Sequence, residues 1–424
     1  MPIIEIGWGL RIDDGGGVLQ DGRMTDNDQV MRRRRFGRTE LDMPVLSCGG
    51  MRYQQSWKDL KPDELEQAAQ ENVEACIRRA LELGINHIET ARGYGSSEWQ
   101  LGRILPRLPR DEMIVQTKIG PKDSAEEFMA VFETSMDNLQ LDYLDLLGVH
   151  GINTHEILDT TLKPDGMWAA VRSLQRDGRV GHVGFSTHGP PDVISRALDT
   201  GEFDYVNLHW YYVNPFTWPA IEAATRADAG VFIISPNDKG GRLYEPSDKI
   251  KQLCAPLTPM QFNDLYCLSR PEVHTLSIGA TRPADFDEHV DALAHWDNQS
   301  VLTEQIDQQL QGALVERHGE AWAKHWHEGL PGWELVPGGV NVFEILRLWT
   351  YGTAWDLIAW AKMRYNLLGQ GGHWFPGNNA ADVDAAGLDN LLAGSHFRRE
   401  IPGILREAHA MLIEAPVERA SQGG

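Results

Sequence analysis

The chain has 424 residues and a formal net charge of −22, with 42% hydrophobic and 24% charged residues. This length accommodates a barrel of about 250 residues together with a further domain. The acidic balance argues against a nucleic-acid or anionic-membrane partner, because phosphate groups bind basic surfaces.

Cysteine usage and the absence of long apolar runs indicate the compartment. The four cysteines, Cys48, Cys76, Cys254 and Cys267, show no CxxC spacing, which is typical of a reducing cytoplasm. No run approaches the roughly 20 apolar residues of a membrane span. Residues 1–30 are rich in Gly and Asp and lack the apolar core of a signal peptide, so we predict a flexible leader there and a cytoplasmic protein.

Short apolar runs alternate with helix-like segments from residue 45 onward. Such runs are typical of buried parallel strands covered by helices. Eight of them are predicted as strands, at residues 45–49, 85–89, 113–118, 143–150, 180–186, 205–209, 231–235 and 274–278. Apolar spacing predicts helices at 67–83 and 167–177, each closed by a glycine. The pattern favours a (β/α)8 barrel over residues 31–295. A doubly wound open sheet is the alternative, but the first strand is not followed by GxGxxG.

The sequence changes character at about residue 296. Eight of the fourteen tryptophans lie from residue 294 onward. Helix-like segments lie at 313–324, 342–351 and 353–365, with Pro-Gly punctuation at 331–332 and 376–377. We therefore predict a helical C-terminal extension over residues 296–424, packed on the barrel, with most of its tryptophans in a core.

Ionisable side chains follow three successive predicted strands. Glu89, Lys118 and His150 end these strands, and Tyr94 lies on the loop after the first. The C-terminal ends of barrel strands converge on one mouth, so the four side chains are expected to share it. Taken singly, each has an ordinary structural interpretation as a loop cap, a packing residue, a surface lysine or a buried histidine. Their combination favours a catalytic site.

These four residues resemble the Asp/Tyr/Lys/His tetrad of the aldo-keto reductase superfamily, with the same order and the same five-residue step from carboxylate to tyrosine. The resemblance extends from about Phe36 to Leu293. It implies a hairpin at 36–44 that closes the barrel floor, a nicotinamide cofactor and reduction of a small-molecule carbonyl compound. Glu89 stands where the family has Asp.

The resemblance assigns Tyr94 as the proton donor and His150 as the group that polarises the carbonyl. An unperturbed phenol titrates near 10, and we expect the Lys118 ammonium to lower that pKa because an opposite charge favours the phenolate. Glu89 would keep Lys118 charged and oriented.

The resemblance also implies a set of cofactor contacts. Thr187 stands where the family has an amide to hold the carboxamide, and Asn207 where it has Gln. Residues 235–243 resemble the loop around the pyrophosphate, and Arg282 suits a 2′-phosphate, so NADP (NADPH) is favoured with NAD as the alternative. The stretch at Gly50 is either a cofactor contact or a simple turn. The predicted cofactor-binding residues are Gly50, Met51, Ser186, Thr187, Asn207, Ser235, Asn237, Lys239, Gly241, Arg242, Gly279, Thr281 and Arg282.

The extension weakly resembles that of relatives that bind iron–sulfur clusters, at residues 363–366 and 374–377. Those relatives ligate the cluster with cysteines, and no cysteine follows Cys267, so we expect no cysteine-ligated iron–sulfur cluster. No metal site is predicted, since His150, His155 and Glu156 are too isolated to form a ligand set. The extension is interpreted as a scaffold over the barrel mouth.

The favoured function is NADPH-dependent reduction of aldehyde or ketone carbonyls. The alternative is a nucleotide-binding protein without turnover that acts as a regulatory or scaffold subunit, which the substitutions at Glu89 and Thr187 motivate. The sequence indicates neither the substrate nor the oligomeric state.

Overall fold

A two-stranded hairpin precedes the barrel. The computed structural model describes residues 31–60, 62–383 and 387–414, so the predicted leader at 1–30 lies outside the described residues. Strands β1 (Arg33–Arg35) and β2 (Asp42–Pro44) pair antiparallel. Phe36 follows β1 and is fully buried, with its ring 5.7 Å from that of Tyr205 at the start of a barrel strand. The hairpin therefore closes the N-terminal floor of the barrel, as predicted.

Eight parallel strands close into a barrel in the order β10-β3-β4-β5-β6-β7-β8-β9. The pairing of Leu276 with Leu46 closes the ring, which excludes the open sheet. Each strand lies within two residues of its predicted position. The strands are β3 (Leu46–Gly49), β4 (His87–Glu89), β5 (Ile114–Ile119), β6 (Leu144–His150), β7 (Val180–Ser186), β8 (Tyr205–Leu208), β9 (Gly230–Ile233) and β10 (Thr275–Ile278).

Helices cover the outer face of the barrel. The predicted helix at 67–83 is observed as α1, and the chain leaves it at Gly84, whose φ of +78° favours glycine. The described helices of the barrel region are α1 (Gln67–Glu82), α2 (Ser97–Gly102), α3 (Ala125–Leu139), α4 (His155–Thr161), α5 (Met167–Arg176), α6 (Pro191–Asp199), α7 (Trp218–Arg226), α8 (Asp248–Cys254), α9 (Pro259–Leu268) and α10 (Asp287–Ala292). None of the helices in the described ranges is long and apolar enough to cross a membrane.

The extension is helical, but two of its predicted boundaries are wrong. The predicted helix at 313–324 is two helices broken at Gly319, which has a φ of +84°. The predicted break between 351 and 353 lies instead at Asp356, a left-handed residue. The helices are α11 (Gln299–His318), α12 (Glu320–His325), α13 (Val342–Trp355), α14 (Ile358–Tyr365) and α15 (Ile401–Leu412). Helix α15 has no counterpart among the helices predicted from the sequence.

The extension packs on the barrel through helices and buried indoles. Helix α11 contacts α8 and α9, and α13 contacts α8. Trp326, Trp355 and Trp360 are fully buried, as predicted for core residues. The indole of Trp360 donates to the carbonyl of Lys239 at 2.9 Å, which ties α14 to the loop after β9. That residues 296–424 form a separate domain stays a prediction.

One buried histidine inside the barrel makes stability depend on pH. His87 on β4 is fully buried and bonded to Ser47 and Gln116, and burial lowers its pKa from 6.5 to about 3. Above pH 6.5 the folded and unfolded states are both neutral at this residue. Below pH 6.5 the imidazole of the unfolded state takes up a proton, while the buried imidazole of the folded state stays neutral. The free energy of unfolding therefore falls, and at pH 5 the contribution of His87 to this loss is about 2 kcal/mol.

Urea denaturation at pH 7 and pH 5 tests this expectation. In the His87→Gln variant the difference between the two free energies of unfolding should shrink by about 2 kcal/mol. An unchanged difference would mean that His87 does not titrate on unfolding.

Candidate active site

A cavity of about 990 Å³ opens at the C-terminal ends of the barrel strands. Glu89, Tyr94, Lys118 and His150 all line it. Their positions follow from the parallel register, in which Glu89 pairs with Gln116 across β4 and β5 and Lys118 pairs with Gly148 across β5 and β6. The structure therefore brings together the four side chains that the sequence placed at successive strand ends.

Glu89 and Lys118 form a buried ion pair at the base of the cavity. They are 2% and 1% exposed, and the carboxylate contacts the ammonium directly. Lys118 also donates to the carbonyl of Thr90 at 2.8 Å. Gly148 leaves room for the lysine, since a Cβ there would lie 2.8 Å from its Cγ. The longer carboxylate that replaces the family's Asp thus still reaches its partner.

Tyr94 lies on the loop between β4 and α2, between the ion pair and His150. The Lys118 nitrogen sits 4.7 Å from the centre of its ring. The ring centroids of Tyr94 and His150 are 5.7 Å apart in an edge-to-face arrangement. The backbone amide of Tyr94 donates to Ala91 at 3.0 Å, which fixes the loop. The phenol, the ammonium and the imidazole therefore face one region.

Burial controls the protonation of the cavity. It raises the pKa of Tyr94 above its usual value. The net shift is opposite to the lowering expected from Lys118, because burial outweighs the effect of that ammonium, which Glu89 partly neutralises. Burial also lowers the pKa of Lys118, whereas its ion pair favours the charged form. Burial, followed by the charges of Lys118 and Lys239, lowers the pKa of His150 to about 3, so this imidazole is neutral at physiological pH.

Trp374 of the extension covers His150. Their ring centroids lie 5.1 Å apart, and Trp374 also contacts His188 at 5.0 Å between centroids. His188 donates from Nδ1 to the Trp374 carbonyl at 2.9 Å. Gly151 follows β6 with a φ of +95°, and a Cβ there would lie 2.5 Å from the indole. The extension is thus an integral wall of the cavity.

We expect Gly151→Ala to destabilise the protein more than Gly178→Ala. Both glycines have a positive φ, +95° and +73°, but a Cβ at Gly178 meets no described atom within 4 Å. The control should cost only backbone strain, about 1–2 kcal/mol, while the change at Gly151 adds a collision with Trp374. Urea denaturation gives the free energies, and indole fluorescence reports displacement of Trp374. Equal losses would show that the indole is not packed on Gly151.

Comparison with known proteins gives a matching family. The sequence profile of the Aldo/keto reductase family matches residues 45–217. Residues 45–217 of this barrel are therefore similar to the aldo-keto reductase family. The match includes the four cavity residues above, whereas the extension lies beyond it.

The relatives of this chain have different named activities. L-galactose dehydrogenase of Arabidopsis thaliana is 32% identical over 159 residues, 34% of this chain and 48% of that protein. L-glyceraldehyde 3-phosphate reductase of Escherichia coli (strain K12) is 27% identical over 176 residues, 38% and 46% of the two chains. The chain thus spans about half the length of these relatives. An aldo-keto reductase from Bacillus halodurans, in its holo form, has the same fold with a TM-score of 0.55 at 21% identity, over 66% of this chain and 96% of that one.

The structure brings about half of the predicted cofactor residues to the cavity. Asn207 pairs with Ser186 across β7 and β8 and is fully buried. Both amide atoms of Asn207 and the Ser186 hydroxyl lack a hydrogen-bond partner among the described residues. A carboxamide ligand would satisfy these atoms, so they fit a nicotinamide. The predicted residues that line the cavity are Met51, Ser186, Ser235, Asn237, Lys239 and Gly279.

Other predicted contacts are engaged elsewhere. The Thr187 hydroxyl donates to the Ile152 carbonyl at 2.6 Å, so it holds a loop instead of facing the cavity. Arg282 has a side chain that is 75% exposed and pairs with Asp285 at 2.9 Å, and Asp285 also accepts from Thr281 at 2.7 Å. Gly50 is constrained by protein, since a Cβ there would lie 2.6 Å from the Glu89 carbonyl. These predicted residues are not among the described residues that line the cavity, and neither are Asn207, Gly241 and Arg242.

Sequence reasoning missed several cavity residues. His188 lies two residues after Ser186, the last residue of β7. Glu89, Lys118 and His150 were selected as ionisable residues at strand ends, and the same criterion would have selected His188. Arg364 and Trp374 lie in the extension segments that carried the weak resemblance, but only the tertiary structure brings them to the barrel mouth. Arg52, His188, Asp238, Arg364, Trp374 and Phe375 all line the cavity.

Proposed function

We propose that this chain is an NADPH-dependent oxidoreductase that reduces the carbonyl of a small aldehyde or ketone to an alcohol. The observation that supports it is the convergence of a carboxylate, an ammonium, a phenol and an imidazole on one cavity at the C-terminal end of the barrel. In this fold that end carries the active site. Activity in the named relatives adds support.

Each of the cavity residues has a separate role in the reduction of the carbonyl. Neutral His150 donates a hydrogen bond to the carbonyl oxygen and polarises it. Tyr94 keeps its proton at neutral pH, because burial raises its pKa, and transfers that proton to the oxygen as negative charge develops there. Lys118 stabilises the resulting phenolate, while Glu89 orients the ammonium. Trp374 limits access of water to His150.

Ser186 and Asn207 would hold the carboxamide of the cofactor, and Lys239 would stabilise its phosphates. A nicotinamide supplies the hydride to the carbonyl carbon when bound. A preference for NADPH over NADH rests on Arg282. Its exposed guanidinium would have to break its ion pair with Asp285 and form one with the 2′-phosphate.

Binding and turnover measurements test the proposal. The purified protein is titrated with NADPH and NADH by fluorescence, then incubated with aldehydes, ketones and quinones while the absorbance of the reduced cofactor is followed. Consumption of NADPH with one of these compounds is expected. Binding without consumption would refute the enzymatic proposal and favour a nucleotide-binding regulatory subunit. Absence of binding would refute both.

A further inference from the structure

The cavity is electropositive although the chain is strongly acidic. Its described lining contains four cationic side chains, Arg52, Lys118, Lys239 and Arg364, and two carboxylates, Glu89 and Asp238. Lys118 and Glu89 neutralise each other. In a protein with a net charge of −22, this local excess of positive charge attracts an anion.

Lys239 is oriented by two neutral imidazoles. The Nδ1 atoms of His188 and His209 lie 2.9 and 3.1 Å from the carbonyl oxygens of Trp374 and Ile234, so both are the protonated nitrogens. Their Nε2 atoms then accept from the Lys239 ammonium, at 3.3 and 3.4 Å. Burial holds the pKa of both histidines well below the usual value. These two acceptors orient the ammonium toward the histidines.

Arg364, from α14, adds a second cation to the same wall. Its side chain is 12% exposed, and the guanidinium stacks 4.0 Å above the Phe375 ring. The carboxylate of Glu344 lies 3.9 Å away but already accepts two bonds from Arg347, at 2.9 and 2.6 Å. Asp238 also acts on Arg364, so two carboxylates, Glu344 and Asp238, face the three cations Arg347, Arg364 and Lys239. A buried cation that is only partly compensated favours a bound anion.

This wall adjoins the carbonyl-binding region. Trp374 contacts His150 on one side and His188 on the other. Lys239 lies near both histidines, because its charge lowers the pKa of His150 as well as that of His188. The charge of Arg364 acts on His188 and His209 in the same direction. The two cations thus lie beyond His150, on the face that the extension completes.

We propose that the substrate carries an anionic group, a carboxylate or a phosphate, that Arg364 binds while the carbonyl lies at Tyr94 and His150. This inference rests on the proposed function. A guanidinium suits both anions because its planar fork donates two parallel hydrogen bonds. The C-terminal extension would then determine substrate class, since Arg364 lies outside the segment that matches the family.

Matched substrates test the subsite. Wild-type kcat/KM is measured for 4-carboxybenzaldehyde against methyl 4-formylbenzoate, and for glyceraldehyde 3-phosphate against glyceraldehyde, so that the pairs separate carboxylate from phosphate recognition. We expect the anionic member of at least one pair to be preferred. Arg364→Met should lower kcat/KM for that anion by about 10- to 100-fold, the usual contribution of a charged hydrogen bond. The neutral partner and NADPH affinity should change little.

Two further variants control for charge and stability. Arg364→Lys should recover part of the anion preference, and Arg399→Met, which removes an exposed arginine of the extension, should preserve it. Equal losses for anionic and neutral substrates would overturn the subsite. Loss of NADPH affinity in Arg364→Met would assign Arg364 to the cofactor phosphates and also overturn it.

Calorimetry separates this inference from the proposed function. If the wild-type protein reduces none of the aldehydes, the proposed function fails. Titration with 4-carboxybenzaldehyde and with glyceraldehyde 3-phosphate then still reports the site directly. Binding to wild-type protein that is lost in Arg364→Met would support the anion subsite, and absence of binding to the wild type would refute it.

Discussion

Replacement of Tyr94 by phenylalanine is expected to lower kcat by about 10²- to 10⁴-fold, the usual contribution of a general acid. The variant keeps the ring that contacts His150 at 5.7 Å and lies under the Lys118 nitrogen at 4.7 Å, so the cavity should retain its shape. Only the proton that neutralises the developing oxyanion is lost. The affinity for NADPH should therefore be unchanged.

Steady-state rates with NADPH and an aldehyde, together with cofactor titration, measure this effect. Tyr143→Phe is the matched control, because that phenol is 39% exposed and lies at the N-terminal side of β6. It should retain full turnover. If Tyr94→Phe also turns over at the wild-type rate, Tyr94 is not the acid.

The second large effect is expected from Lys118→Met. This change leaves the Glu89 carboxylate buried without its cation, and it should reduce the free energy of unfolding by about 3–5 kcal/mol. Turnover should fall as well, because the phenolate at Tyr94 loses the neighbouring charge. Urea denaturation and steady-state kinetics provide the two measurements.

The double variant Glu89→Gln/Lys118→Met separates stability from chemistry. Removing both charges should restore most of the lost stability, since no uncompensated buried charge remains, but turnover should stay low. Lys163→Met removes an exposed lysine and should change stability by at most about 0.5 kcal/mol. Recovery of turnover in the double variant would show that the ion pair supports only the fold.

Much of the barrel could be predicted from sequence because its signals are local. Buried strands read as short apolar runs, and the residue that ends each run is fixed by chain order. Chain order therefore places Glu89, Lys118 and His150 at one mouth of the barrel. The helix boundaries in the extension failed because Gly319 and Asp356 break the helices through their backbone conformation, which apolar spacing does not encode.

The amino-acid sequence by itself determined the barrel, the order of its strand ends and the four side chains that meet there, because a parallel register places consecutive strand ends together. Only the tertiary structure decided what surrounds them. The raised pKa of Tyr94, the engagement of Thr187 with Ile152, and the placement of Arg364 and Trp374 at the mouth all depend on residues distant in sequence. Burial and long-range hydrogen bonds arise from packing, and a linear pattern of residues does not specify them.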